Sequence, residues 1–139
     1  MTSEFWHRCR YWLPVAAYAA LILYLSSLSH PEETFPFLRI DFADKAGHAL
    51  EYGGFAIVLY RAFRHASTPQ GSRHALLLAI VSAAAHGALN EAYQEFLPYR
   101  TAEGWDLVAD TVGAAIAAYG YDRITGAAGV PRRVMSSEG

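Results

Sequence analysis

The sequence predicts an all-α integral membrane protein with four transmembrane helices and both termini in the cytoplasm. Three observations predict it. Long runs without charge recur along the chain, basic residues gather in alternate connections, and polar residues recur at one depth in three of the four runs. Of 139 residues, 53% are apolar, 14% aromatic and only 17% charged, where an ordinary soluble domain carries about 25% charged residues. That balance argues against a disordered or low-complexity chain. The formal charge of -2 gives no electrostatic footprint for nucleic acid. A single cysteine, Cys9, excludes an intramolecular disulfide and a cysteine-based zinc site.

The first segment, at about 11–29, is the plainest: no Asp, Glu, Lys or Arg occurs from Tyr11 to Pro31. A spanning helix needs about 20 mostly apolar residues. Pro14 falls near the start of this run, where a helix tolerates it. Arg8 and Arg10 before the run and Ser27-Leu28-Ser29 after it resemble a signal peptide. The run exceeds the usual h-region of about 7–15 residues, however, and three further segments follow, so it reads as an uncleaved first helix. The second segment, 44–64, is apolar from Ala46 to Tyr60 except for Glu51. Its Gly53-Gly54 pair is tolerated in membrane helices. The third, 74–95, has no charge from His74 to Asn90, and the fourth, 104–123, is interrupted by Asp110. Packing in lipid relies on small residues. Ala79, Ala83 and Gly87 in the third segment and Ala109, Gly113 and Ala117 in the fourth offer them at four-residue spacing. Residues 1–124 thus form one transmembrane domain, and 125–139 a loose cytoplasmic tail.

Connection charge sets the orientation. Arg8, Arg10, Arg61, Arg64, Arg73, Arg123, Arg132 and Arg133, eight of the eleven basic residues, fall on one side of a four-pass chain. The other side holds Arg39, Lys45 and Arg100 with Glu32, Glu33, Asp41, Asp44, Glu95 and Glu103. The positive-inside bias places the arginine-rich side in the cytoplasm. Aromatic residues near the segment ends, such as Trp12, Tyr60 and Tyr119 inside and Phe42, Phe96 and Trp105 outside, match interfacial belts.

Ionisable residues inside such segments are costly and usually functional. On the second segment Asp44, His48, Glu51 and Tyr52 fall within about 100° of one another on a helix. His86, Asn90 and Gln94 form a stripe on the third, flanked by Glu91, and Asp106 and Asp110 lie one turn apart on the fourth. A rise of about 1.5 Å per residue sets Glu51 about 10 Å, Asp110 about 6 Å and His86 about 12 Å below the outer interface. The stripes therefore predict one polar cavity open to the extracytoplasmic side, with Lys45 and Arg100 at its rim.

Asp44-Lys45-x-x-His48-x-x-x-Tyr52, then Glu91-x-x-Gln94-x-Phe96-x-Pro98-x-Arg100, then Asp106-x-x-x-Asp110-x-x-Gly113 resembles the VanZ-like family of small bacterial membrane proteins. The match covers about Asp44–Gly120. The family often has Gly where this chain has Tyr99, and Asn where it has Asp110. Its founding member is associated with resistance to teicoplanin, so the resemblance implies a cell-envelope role without supplying a reaction.

The candidate ligand-binding cluster is Asp44, Lys45, His48, Glu51, Tyr52, Glu91, Gln94, Arg100, Asp106 and Asp110. Arg100, with its planar fork, is the natural contact for phosphate or carboxylate. Asp44-x-x-x-His48 would suit a ligand pair, but no H-E-x-x-H or cysteine pair accompanies it, so no metal and no cofactor is assigned. Ser82 and Thr111 are the intramembrane hydroxyls, and neither sits in a nucleophile elbow. The expectation is a multi-pass protein of the bacterial inner membrane, more a binder than an enzyme. Its expected partners are membrane lipids and a lipid-linked envelope precursor or lipoglycopeptide, with no nucleic acid. Two alternatives stand beside it: a membrane-embedded hydrolase or transferase acting on a phosphorylated lipid, and an accessory subunit whose polar residues only tie helices together.

Overall fold

A computed structural model describes residues 2–28, 41–98 and 103–128, and every regular element among them is helical. Four long helices, α1 (Thr2–Ser26), α2 (Asp41–Ala66), α4 (Ala75–Gln94) and α5 (Gly104–Ala128), make up most of the described residues, with the single turn α3 (Pro69–Arg73) between α2 and α4. α2 is the central helix and packs on the other three long ones, while α4 and α5 also pack on each other. The long helices alternate in direction. Trp12 near the start of α1 meets Ala66 at the end of α2, whereas Lys45 at the start of α2 meets Asp106 at the start of α5. The arginine-bearing ends of the helices therefore gather at one end of the bundle.

α1 begins well before the charge-free run, because nothing from Thr2 to Leu13 breaks a helix and Glu4 suits its N-terminal dipole. Pro14 is consequently internal and not in the first turn as the hydropathy suggests. It removes one backbone hydrogen bond at a point where the helix is exposed. The early start has a structural use. Tyr11 stacks on His65 with ring centroids 5.4 Å apart, and two α1 side chains cap carbonyls at the end of α2. His7 Nε2 donates to His65 O at 2.9 Å and Trp12 Nε1 to Ala66 O at 3.2 Å, meeting acceptors that a helix end leaves open. α3 follows at once, capped by Thr68 Oγ1, which accepts from Gly71 N at 3.1 Å. At the far end α5 stays helical to Ala128, past the start of the predicted tail, with Thr125 Oγ1 bonded to Tyr121 O.

Small residues let the helices approach closely. Ala79, Ala83 and Gly87 all lie on the buried face of α4. Gly113 of α5 rests directly on the Ala49 backbone of α2, and a Cβ there would overlap Ala49 Cα and C at 2.6 and 2.7 Å. A Cβ on Gly53 would stand 3.1 Å from Ala117 Cβ. The buried stripe of α5 lies one residue on from the predicted seam, at Asp106, Asp110, Ala114 and Ala118. The buried side of the helices combines alanine, glycine and a polar set with the larger Val15, Ile22, Tyr52, Phe55, Leu59 and Tyr60. The outside carries Leu50, Leu77, Val81, Leu89, Val112 and Ile116, each at least half exposed. By length and composition two helices among the described residues are apolar enough to cross a membrane: α1 over Ser3–Ser26 and α4 over Ala75–Gln94. Only 17% and 33% of their most apolar windows are buried, so most of this apolar surface faces outward.

Candidate functional site

The polar residues of α2, α4 and α5 meet where the first turns of α2 and α5 and the last turns of α4 come together. At the rim, Lys45 Nζ donates to Glu103 Oε2 at 2.7 Å and also to Asp106 Oδ1. The lysine holds the exposed Glu103 carboxyl below its ordinary range by hydrogen bonding and charge. One turn deeper, His48 Nδ1 lies 3.0 Å from Asp110 Oδ1, and its Nε2 faces Asp106 Oδ2 at 3.7 Å. When Asp110 is ionised its carboxylate can only accept, and Nδ1 is then the donor. One turn deeper again, the Tyr52 hydroxyl and His86 Nδ1 share a hydrogen bond at 3.0 Å. The order along α2, Lys45, His48, Tyr52, follows from helical spacing: residues three and four apart lie over one another.

From α4, Glu91 Oε2 accepts the backbone N–H of Glu103 at 3.0 Å, which fastens the end of α4 to the entry of α5. Asn90 is beside the Tyr52 phenol, although neither of its amide atoms reaches hydrogen-bond geometry. Asp110 and Asn90 are fully buried, and Gln94 and Asp106 nearly so. Gly87 makes room for this arrangement: a Cβ there would lie 3.2 Å from Asp110 Oδ2 and 3.5 Å from Tyr52 Cε1. Glu51, on the side of α2 toward α1, is within electrostatic reach of His48, Asp110 and Tyr18. Tyr18 itself occupies the space beside Gly54 and stacks on Phe55 at 5.7 Å.

Of the ten residues expected at the site, Lys45, His48, Glu51, Tyr52, Glu91, Asp106 and Asp110 are linked in this way. Gln94 is buried on the same face of α4, one turn beyond Asn90. Asp44 lies on α2 with its side chain outside the described residues, and Arg100 lies outside them altogether. Four participants lie outside those ten: His86 and Asn90, which belong to the polar stripe expected on α4, and Glu103 and Tyr18. Glu103 stands three residues before Asp106, so a helical turn already places it on the same side. Tyr18 carries no such signal, since its position depends on how α1 docks.

The chemistry available is proton exchange, charge pairing and hydrogen bonding. Thr111 Oγ1 donates to Leu107 O at 2.8 Å, which commits that hydroxyl to the backbone. Among the described residues no three His, Cys, Asp or Glu side chains converge as metal ligands. At the opposite end, Ser3, Glu4, His7 and Arg8 face His65, Ala66 and Ser67 across an open groove. Partial burial and the nearby Arg64 and Arg61 push the His65 imidazole below its ordinary value.

Set against known protein families, curated proteins and solved structures, the chain matches none.

Proposed function

We propose that this chain is a four-pass, VanZ-like protein of the bacterial inner membrane. In this reading both termini are cytoplasmic and the polar pocket receives the headgroup of an amphiphile or lipid-linked envelope precursor from the extracytoplasmic side. The observation that supports it is that polar side chains are enclosed at one end of the bundle while large apolar ones face outward. Asn90, Asp110 and Gln94 are enclosed, while Leu50 is 77% and Ile116 69% exposed. In water that arrangement would expose large apolar side chains, each worth about 1.5–3 kcal/mol when buried, and enclose polar groups at a penalty. In lipid both features become favourable, because the outer face is solvated by acyl chains and the polar groups are sheltered inside. α2 and α5 cross as well in this reading, with their acids turned toward one another. The basic residues at one end of the bundle fit the cytoplasmic side.

From the motif resemblance, the pocket would affect susceptibility to a lipoglycopeptide such as teicoplanin. Charge-neutralising changes test the role of the pocket: Asp106→Asn and Glu91→Gln should abolish ligand binding and the susceptibility phenotype while the protein still accumulates in the membrane. Retention of both properties in a folded protein rejects the pocket as the functional site. In the same protein with Cys9→Ser, a cysteine at Glu103 should react from the extracytoplasmic side and one at Gln70 only from the cytoplasm. A second reading, a phosphorylated-lipid hydrolase, draws on His48 lying between Asp106 and Asp110. Phosphate release from envelope lipids by the purified protein would favour it.

A further inference from the structure

The open groove at the arginine-rich end of the bundle, between the start of α1 and the end of α2, has a volume of about 430 Å³. Ligand sites commonly span about 300–1,000 Å³. Two of its polar groups are already committed: His7 Nε2 donates to His65 O at 2.9 Å, and Ser67 Oγ to Phe63 O at 2.5 Å. Others are not. Arg8 and Ser3 line the groove from α1, are exposed, and make no hydrogen bond or ion pair with another described residue. His65 lines it from α2, and Tyr11 stacks on its ring, which leaves the ring N–H at the edge for a ligand.

Charge around the groove is unbalanced. The charges within reach of the His65 imidazole are those of Arg64, Arg61 and His7, with no acid among them. Glu4 is the one acid lining the groove, a helical turn before Arg8. Over the whole of this end, the described residues include six arginines (Arg8, Arg10, Arg61, Arg64, Arg73 and Arg123) against two acids, Glu4 and Asp122. Asp122 is engaged by the Tyr60 hydroxyl. An anion is therefore the ligand that this charge favours.

Depth narrows the kind of anion. His7 and Arg8 precede Tyr11, where the charge-free run begins, by four and three residues. At about 1.5 Å per residue they lie about 5–6 Å beyond the apolar span. A bilayer's headgroup layer is about 5–8 Å thick on each side, so both residues sit at the level of lipid phosphates. Phe5 and Trp6 beside them are 61% and 68% exposed, as suits aromatic side chains at that interface.

We infer that this groove holds the phosphate of an anionic lipid of the cytoplasmic leaflet. The Arg8 guanidinium grips two phosphate oxygens, His65 adds a ring N–H, and Ser3 meets a headgroup hydroxyl. Basic pockets between membrane helices on the cytoplasmic side suit such headgroups. The assignment rests on the proposed embedding and orientation, and is separate from the polar cluster at the opposite end.

The test titrates the full chain in dodecyl maltoside micelles with phosphatidylglycerol, phosphatidylcholine and inorganic phosphate, read by native mass spectrometry. Phosphatidylglycerol should bind at least about fivefold more tightly than phosphatidylcholine, whose phosphodiester carries no net charge. Arg8→Gln should cost about that factor, and Glu4→Gln, which removes the competing acid, should tighten binding. Arg123→Gln, at the same end but outside the groove, should change little. Equal affinity for the two lipids would overturn the assignment, and that comparison needs no variant to fold. Equal losses in Arg8→Gln and Arg123→Gln would overturn it in favour of diffuse attraction to the whole basic end. Inorganic phosphate competing as well as the lipid would overturn the lipid as occupant. Loss of lipid preference with the susceptibility phenotype intact rejects the groove alone, whereas labelling of a cysteine at Gln70 from outside rejects the orientation and with it the leaflet.

Discussion

Lys45 does two things at once: it neutralises a carboxyl in water and one inside the bundle. Glu103 is exposed and Asp106 is 6% exposed, so the two pairs differ in weight. An exposed pair contributes little to stability, whereas a buried charge stripped of its partner is strongly destabilising. Lys45→Met should therefore lower stability by about 2 kcal/mol, less than for a fully enclosed pair because the lysine is itself part-exposed. Glu103→Gln should leave the thermal unfolding midpoint close to that of the unaltered protein. Thermal unfolding in detergent compares the two, and an equal effect would mean that the Asp106 pair is not the one that counts. His48 is the second residue with a double role, since one ring spans Asp110 at 3.0 Å and Asp106 at 3.7 Å. The four-residue interval between Asp106 and Asp110 makes this possible. That interval is visible in the sequence, but the imidazole between the two acids is not, because it comes from a helix more than fifty residues away.

Contact between α2 and α5 depends on the absence of a side chain at one position. Gly113 lies against the Ala49 backbone, and backbone cannot rotate away as a side chain can. Gly113→Leu should force the two helices apart and cost about 1–3 kcal/mol, the usual penalty for overpacking. Gly120, seven residues later on the same helix, has open space where a Cβ would go, so Gly120→Ala should be neutral or slightly stabilising. Comparing the unfolding midpoints of the two variants checks the packing, and similar losses would argue against it. The separation of α2 and α5 also sets the Lys45–Asp106 and His48–Asp110 distances, so the Gly113 variant should weaken the polar site as well. The small-residue spacing on α5 is legible from the sequence as a close-approach seam. Which of its residues lies deepest is not, because Ala109, Gly113 and Ala117 border the Asp106, Asp110, Ala114 and Ala118 stripe by only one position.

At the scale of the molecule, large apolar side chains face outward while polar ones are enclosed at one end of the bundle, and embedding in lipid and solubility in water predict opposite responses at that outer face. Ile116→Asp distinguishes them directly. At an exposed position of a soluble bundle such a change stays within about 0.5 kcal/mol. At the lipid-facing middle of a spanning helix it costs about 2.5–3.5 kcal/mol on insertion scales. The proposed embedding predicts a clear loss of the carbonate-resistant membrane fraction, and an unchanged fraction would count against it. Most of this scale follows from the chain alone. A helical fold, the apolar runs, the arginine-rich ends and the three polar stripes are matters of local composition and of the 3.6-residue period, which depend on near neighbours. Tertiary structure decided which polar atoms find partners. Lys45, His48 and Tyr52 are ordered along one helix face by their spacing, but their partnering with Asp106, Asp110 and His86 requires α2, α4 and α5 to meet at one rotation and depth. The buried atoms left without a hydrogen-bond partner on Asp110, Glu91, Asn90 and Gln94 come from that same meeting, because a helix repeat can bring a residue to a face but cannot say what stands opposite.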